Sequence, residues 1–143
     1  MTGEVAKVSN NSEWKKRVLE KGTRSPRVVV DFFASWCPPC RQISPIFENL
    51  SKTYTNVKFL KIDVEENKAV ATKCGIQSMP TFQFYFEGDM INTLMGADKE
   101  KLEFLIKELA SKETQEPSPE EGGDADAAEK KGVREFFKRM FKK

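Results

Sequence analysis

Apolar positions in the first 111 residues form short runs separated by segments of helical period. Five runs are rich in β-branched and aromatic residues, which is typical of strands. The run from Val28 to Phe33 is apolar on both faces except at Asp31, as expected for a strand that helices cover on both sides. The predicted strands are residues 4–8, 28–33, 57–63, 81–86 and 90–95.

The segments between these strands predict about four helices. Asn11 or Ser12 is the expected cap of a first helix that runs to about Lys21, and Asp98 is the expected cap of the last. The last two strands are joined by Glu87-Gly88-Asp89, a hairpin sequence. The order β-α-β-α-β-α-β-β-α therefore predicts an α/β domain with a mixed five-stranded sheet.

Charge divides the chain near residue 112. Residues 113–129 contain seven acidic residues and no basic one, whereas residues 130–143 contain seven basic residues and the single acid Glu135. The acidic stretch lacks apolar periodicity, which predicts a disordered linker. We therefore predict a folded domain over residues 1–111, an acidic linker over 112–129 and a separate basic segment over 130–143.

The basic segment also has an apolar pattern. Its apolar residues recur at i, i+3, i+4, i+7 and i+8, which predicts a basic amphipathic helix; they are Val133, Phe136, Phe137, Met140 and Phe141. Our first interpretation is docking on an anionic membrane surface or in a groove of a calmodulin-like partner. The alternatives are folding back on the domain, a nuclear localisation element and a solvated tail.

Cysteine and histidine usage limits the possible chemistry. The chain has three cysteines, two of them three positions apart, which indicates a reducing compartment rather than a disulfide framework. It has no histidine, which excludes histidine-dependent catalysis and argues against a zinc site. The first ten residues lack the apolar run of a secretory signal. We expect a cytoplasmic protein, with nuclear or peripheral membrane location as alternatives.

Cys37 and Cys40 carry the candidate chemistry. Residues at i and i+3 at a helix start lie on one face, within reach of a disulfide. Cys37 falls where the N-cap belongs, and there unpaired N–H groups and the helix dipole favour a thiolate, so Cys37 is the expected nucleophile. Pro38 and Pro39 suit the first helical positions and stiffen the motif. Cys40 is expected to be buried and to react second.

Two further residues are candidates for redox chemistry. Asp31 is a lone carboxylate in an apolar strand, which is costly unless it is neutral or paired, so we favour a catalytic role over a solvent-facing aspartate. Cys74 follows the short helix predicted over residues 66–73. We interpret it as a packed or half-exposed residue, with a regulatory thiol as the alternative.

The chain resembles the thioredoxin family over roughly residues 4–110. The resemblance rests on motifs that occur in the family's order and spacing: the run from Val28 to Arg41, then Lys61-Ile62-Asp63-Val64, Met79-Pro80-Thr81-Phe82, Glu87-Gly88 and Gly96-Ala97. Pro38 departs from the pattern, because most thioredoxins have glycine there. That departure leaves the reduction potential and the preferred electron donor open.

The resemblance implies a thioredoxin fold and a protein-disulfide reductase with no bound cofactor. Cys37 would attack a substrate disulfide, Cys40 would resolve the mixed disulfide, and Asp31 would assist proton transfer. Expected partners are disulfide-containing proteins and thioredoxin reductase, which supplies electrons from NADPH; we expect no nucleic acid and a monomer. By resemblance Pro80 is a cis-proline, and a substrate-binding rim is formed by Trp36, Pro38, Pro39, Met79, Pro80, Gly96 and Ala97.

Two classes of function are therefore compared. The first is a general protein-disulfide reductase. The second is a targeted redox adaptor or binding module, in which partner recognition rather than turnover is the main role. The variant Cys37→Ser distinguishes them, because a reductase loses its activity without the nucleophile and a binding module does not.

Overall fold

The computed structural model describes residues 3–22 and 25–114. The chain divides into two units, residues 1–112 and 113–143, and the fold described here is that of the first. The predictions for the acidic linker beyond Thr114 and for the basic segment, including its apolar face, lie outside the described residues. The three-part division of the chain stays a prediction.

A mixed five-stranded sheet forms the centre of the domain. Its strands are β1 (Val5–Lys7), β2 (Arg27–Phe33), β3 (Lys58–Asp63), β4 (Thr81–Phe86) and β5 (Asp89–Met95). They lie in the order β1-β3-β2-β4-β5. The pairs β1–β3 and β3–β2 are parallel, and the pairs β2–β4 and β4–β5 are antiparallel. The predicted mixed sheet is confirmed.

Four helical segments flank the sheet. They are α1 (Asn11–Trp14), which continues as a π-helix over Lys15–Leu19, then α2 (Pro38–Thr53), α3 (Lys68–Lys73) and α4 (Lys99–Ala110). Asp98 caps α4 as predicted, because its side chain accepts a hydrogen bond from the N–H of Lys101. The strand and helix bounds otherwise agree with the predicted ones to within about two residues.

The first helix differs from its prediction at both ends. Its cap is Asn10 and not Asn11 or Ser12, because the Asn10 side chain accepts from the N–H of Glu13 at 2.8 Å. The Glu13 carboxylate in turn accepts from the N–H of Ser9 at 2.8 Å, a reciprocal arrangement close to a capping box. The wider π-helical turns then end at Leu19, short of the predicted Lys21.

The hairpin between β4 and β5 has a two-residue turn. Glu87 and Gly88 both have positive φ angles, of 55° and 85°, as a type I′ turn requires. A Cβ atom on Gly88 would lie 2.6 Å from the carbonyl oxygen of Leu19, so glycine is needed for space as well as for conformation. β5 therefore begins at Asp89, one residue earlier than predicted.

Each face of the sheet carries its own apolar core. One core joins the sheet to α2 and α4 and includes Val29, Phe47, Phe82 and Ile106. The other lies on the side of α1 and α3 and is centred on Trp14. Because side chains alternate along a strand, Asp31 shares the face of Val29, which α2 covers. The carboxyl group of Asp31 thus lies on the same side of the sheet as α2, the helix that begins at the cysteine pair.

Candidate active site

The cysteine pair lies at the junction of β2 and α2. The N–H of Cys37 bonds the carbonyl oxygen of Ala34 at 3.2 Å, which closes a tight turn after the strand. Cys37 itself has extended angles, with φ of −93° and ψ of 110°, and is the N-cap of α2. The predicted cap is confirmed. Proline at the next two positions favours this geometry, since a residue before proline avoids the helical region.

One backbone donor points at the Cys37 sulfur. Pro38 and Pro39 occupy the first two helical positions and have no N–H to offer. The N–H of Cys40 therefore donates to Cys37 Sγ, with 3.2 Å between nitrogen and sulfur. A thiolate at Cys37 gains this bond together with the field of the helix N-terminus, and both lower a thiol pKa.

The two cysteines are joined as a disulfide. Their Cα atoms are 5.2 Å apart, inside the range that disulfides adopt. In this oxidised form both residues are buried, with 3% of Cys37 and 4% of Cys40 exposed. They pack in a small cluster with Ala34, against which Met79 also lies. The structure therefore represents the oxidised end point of a dithiol couple.

A second loop brings the proline segment against the reactive sulfur. The Met79–Pro80 peptide bond is cis, as the resemblance implied. The carbonyl oxygen of Met79 lies 3.6 Å from Cys37 Sγ, and that of Pro80 accepts from the N–H of Gly96 at 2.9 Å. Gly96 has a φ of 102°, a conformation that side chains rarely adopt. The loop of Gly96 and Ala97 is thereby held beside Pro80, next to the disulfide.

Trp36 is the exposed aromatic group of the site. It precedes Cys37 and is 57% exposed, yet its indole Nε1 donates to Glu65 Oε2 at 2.6 Å. Glu65 follows β3, and its own N–H donates to Asp63 Oδ1 at 2.9 Å. Sequence reasoning missed Glu65. The contact arises from the parallel register of β2 and β3, which places the residues after both strands at one edge of the sheet and is seen only in the structure.

Asp31 is buried in the centre of the sheet. Only 4% of the residue is exposed, and its Oδ1 atom makes no hydrogen bond within the described part of the chain. Burial raises the pKa of Asp31 to about 7, and the positive charge of Lys61, its register partner on β3, offsets this in part. The carboxyl group therefore gains and loses its proton near neutral pH. Lys61 is a second contributor that sequence reasoning did not identify.

Cys74 lies apart from the active pair. It follows α3, is half-buried and is not in a disulfide. Burial raises the pKa of its thiol, and a hydrogen bond with Tyr85 and the charge of Lys73 lower it in part. A raised pKa reduces the thiolate fraction on which oxidation depends. The regulatory role stays a prediction that this environment does not favour.

Comparisons with known proteins agree with this geometry. The thioredoxin family model matches residues 5–108, which is most of the chain. This chain belongs to the thioredoxin family. It is 43% identical over 105 residues to horse (Equus caballus) thioredoxin, covering 73% of this chain and 98% of that one. It is also 43% identical over 106 residues to thioredoxin H5 of Arabidopsis thaliana, covering 73% and 90%.

Solved thioredoxins share the fold. The oxidised thioredoxin of Plasmodium falciparum aligns with a TM-score of 0.68 at 42% identity, covering 76% of this chain and all of the other. The thioredoxin of Malassezia sympodialis aligns with a TM-score of 0.70 at 38% identity, covering 76% and 93%.

Family membership establishes the chemistry of the pair. The protein is a thiol–disulfide oxidoreductase that reduces protein disulfides through Cys37 and Cys40. Thioredoxins carry no bound cofactor and are reduced by thioredoxin reductase, so this enzyme and disulfide-containing proteins are the partners. Within residues 3–22 and 25–114, no cluster of acidic or cysteine side chains could hold a metal ion, and no helix could span a membrane. The roles of individual rim residues stay predictions.

Proposed function

We propose that this thioredoxin is a cytoplasmic protein-disulfide reductase whose basic C-terminal segment holds it at an anionic membrane surface. The observation that carries the proposal is the pattern of residues 130–143, in which five apolar positions recur at helical spacing among seven basic residues. Each cation near an anionic surface contributes about 1 kcal/mol, and burial of phenylalanine side chains adds to it. In this proposal the folded domain reduces disulfides, and the basic segment binds the protein to the membrane surface.

The reductase cycle follows from the geometry of the pair. The Cys37 thiolate attacks one sulfur of a substrate disulfide, which forms a mixed disulfide and releases the other substrate sulfur as a thiolate. The thiolate of Cys40 then attacks Cys37 Sγ, which forms the intramolecular disulfide and releases the reduced substrate. Two electrons pass from the cysteine pair to the substrate, and thioredoxin reductase then reduces the Cys37–Cys40 disulfide with two electrons of its own.

Asp31 supports the second step of this cycle. Cys40 must lose a proton before it attacks, and a buried carboxyl group with a pKa of about 7 exchanges protons readily at neutral pH. Asp31 lies on the face of the sheet that is covered by α2, the helix that carries Cys40. Asp31 is therefore the acceptor that we assign to the resolving thiol.

Vesicle binding tests the location. The full chain is expected to co-sediment with vesicles that contain phosphatidylserine and not with neutral phosphatidylcholine vesicles. Phe137→Glu should abolish this binding because it places a charge in the apolar face, whereas Phe137→Leu should preserve it. Equal binding of the Glu variant would contradict the proposal. If the chain instead binds calcium-loaded calmodulin and no vesicle, the segment recognises a protein partner and the membrane proposal is wrong.

Trapping of mixed disulfides tests whether Cys37 is the attacking cysteine and Cys40 the resolving one. In Cys40→Ser the mixed disulfide on Cys37 cannot be resolved, so substrates accumulate as covalent complexes that dithiothreitol releases. Cys37→Ser should capture none. If Cys37→Ser retains the cellular function of the protein, the alternative is correct: the domain is then a redox adaptor or binding module that recognises partners without turning them over.

A further inference from the structure

Arg41 is a charged residue of the active-site helix to which the reductase cycle assigns no role. It follows Cys40 and lies in the first turn of α2. The residue is exposed, whereas Cys40 before it and Ile43 after it are buried. Helical side chains tilt toward the N-terminus of their helix, so that of Arg41 lies over the turn that begins at Cys37. Its positive charge is therefore located on the surface next to the reactive pair.

A hydrogen bond holds the guanidinium group of Arg41 at the loop before the nucleophile. Arg41 Nη1 donates to the carbonyl oxygen of Ser35 at 2.8 Å, and the backbone N–H of Arg41 donates to the carbonyl oxygen of Cys37 at 3.2 Å. Ser35 directly precedes the exposed Trp36. An arginine side chain has five N–H donors, so Arg41 keeps others for a ligand while its position is fixed. A donor that is already in position loses less conformational entropy on binding.

No carboxylate contacts the guanidinium group of Arg41 in the part of the chain that the structure describes. None of the ion pairs formed there includes Arg41. On α2 the residues three and four positions further along are Ser44 and Pro45, so the adjacent turn offers no acid to this face of the helix. Glu65, the carboxylate that contacts the loop before Cys37, accepts from the indole Nε1 of Trp36 instead. Arg41 therefore keeps its charge available to a bound substrate.

The two sides of the reactive sulfur present different groups. The strands lie in the order β1-β3-β2-β4-β5, and the turn that contains Ser35 follows β2. On the side of β4, the carbonyl oxygen of Met79 lies 3.6 Å from Cys37 Sγ, and the loop that contains Gly96 follows β5 beyond it. On the side of β2, the guanidinium group of Arg41 is bonded to Ser35. A substrate chain bound at Cys37 therefore meets backbone groups on one side and a cation on the other.

We propose that Arg41 makes this reductase prefer disulfides in which the attacked cysteine has an acidic residue on one flank. A substrate cysteine at Cys37 Sγ has one neighbour toward Met79 and the other toward Ser35, where the guanidinium group is held. A carboxylate at that second neighbour accepts the free N–H donors of Arg41 in charge-assisted hydrogen bonds. The preference rests on the reductase activity and is independent of the membrane proposal, because residues 130–143 take no part in it.

Peptide substrates test this preference with the full-length protein. Each peptide has a single cysteine joined to 2-nitro-5-thiobenzoate, whose release is followed by absorbance, and carries Glu, Gln or Lys directly before or directly after that cysteine. On one flank only, kcat/KM should be about two- to fivefold higher for Glu than for Gln, as expected for one exposed ion pair, and lowest for Lys. Arg41→Gln should bring the ratio of Glu to Gln close to one, and Arg41→Glu should favour the Lys peptide.

Lys52→Gln is the matched control, since it removes the same charge from an exposed position in the last turn of α2, and it should keep the preference of the parent. Equal loss of the preference in Arg41→Gln and Lys52→Gln, or an equal preference on both flanks, would indicate attraction to net charge and overturn the proposal. A fall of kcat/KM by one common factor for all peptides in Arg41→Gln would also overturn it, because Arg41 would then only support the loop. If the parent reduces none of the peptides, including those with Gln, the reductase activity itself is contradicted.

Discussion

At the scale of single residues, the most informative group is the buried carboxyl of Asp31. An unfolded aspartate has a pKa near 3.9, whereas burial raises the pKa of Asp31 to about 7 in the folded chain. The folded state therefore binds this proton more tightly than the unfolded state. The contribution of Asp31 to stability is therefore greatest below about pH 4 and is lost as the pH rises through 7. The group serves proton transfer at a cost to stability.

Asp31→Asn should remove this cost. Chemical denaturation should show the variant more stable than the parent by about 4 kcal/mol at pH 8, and nearly equal to it at pH 4, because a shift of one pKa unit corresponds to about 1.4 kcal/mol. Asp89→Asn, at an exposed aspartate paired with Lys21, is the control and should change stability by less than about 1 kcal/mol at either pH. A pH-independent effect of Asp31→Asn would show that the carboxyl is not charged by pH 8.

The Trp36–Glu65 hydrogen bond gives a second prediction at this scale. Glu65→Ala should release the indole, which is half in solvent, and change its fluorescence. The KM for a protein disulfide should rise about two- to fivefold, as loss of one hydrogen bond of about 0.5–1 kcal/mol implies. The rate with a small disulfide reagent should not change. Glu65→Gln keeps an oxygen acceptor and should have the KM of the parent. Equal KM values for the parent and both variants would show that Glu65 does not help to position the substrate.

The residues of the active-site motifs could be predicted from the sequence, whereas the residues that interact with them through charge or hydrogen bonds could not. Cys37, Cys40 and Pro80 follow from spacing and resemblance. Lys61 and Glu65 lie about thirty residues from Asp31 and Trp36, and they meet them only because β2 and β3 pair in one particular parallel register. Side-chain identity does not reveal that register. Contacts of this kind required the structure.

At the scale of elements, the start of α2 controls the reactivity of Cys37. Pro39 stands at the second helical position, from which an N–H can reach an N-cap side chain. Pro39→Ala should add a second donor to the Cys37 thiolate and lower its pKa. Alkylation of the reduced protein at pH 6 should then be about three- to tenfold faster, the effect of one further hydrogen bond of about 1 kcal/mol.

Pro38→Ala is the matched control for that prediction. It also replaces a proline of the motif, but the N–H at the first helical position does not reach the cap side chain. Its alkylation rate should stay close to that of the parent. Equal acceleration in both variants would mean that loss of stiffness, and not a new donor, sets the reactivity.

Element boundaries depended on which local signal was strongest. The hairpin was predictable because Glu87-Gly88 must take positive φ angles between two apolar runs. The start of the first helix was harder to predict, because Asn10, Asn11 and Ser12 are all residues that cap helices well. The structure selects Asn10, whose side chain accepts from the N–H of Glu13 while the Glu13 carboxylate accepts from the N–H of Ser9. The π-helix after Trp14 has no sequence signal that we recognise.

At the scale of the whole molecule, residues 1–112 contain both apolar cores and the complete sheet. A chain that ends at Thr114 keeps the bonds from Arg27 and Asn56 to the end of α4. It also keeps both apolar cores, so we expect it to unfold within about 2 °C of the full chain, a change of less than about 0.5 kcal/mol. Calorimetry measures this directly.

The chain that ends at Thr114 should keep its disulfide reductase activity and lose its binding to membranes. Its rate of insulin disulfide reduction should equal that of the full chain, because Cys37, Cys40, Asp31 and Pro80 are all retained. Binding to phosphatidylserine vesicles should be lost, because the cations and apolar residues of 130–143 are absent. Reduction of a disulfide protein anchored on such vesicles should then slow, while reduction of the same protein in solution does not. Equal rates on vesicles and in solution would mean that the segment does not concentrate the enzyme at the surface.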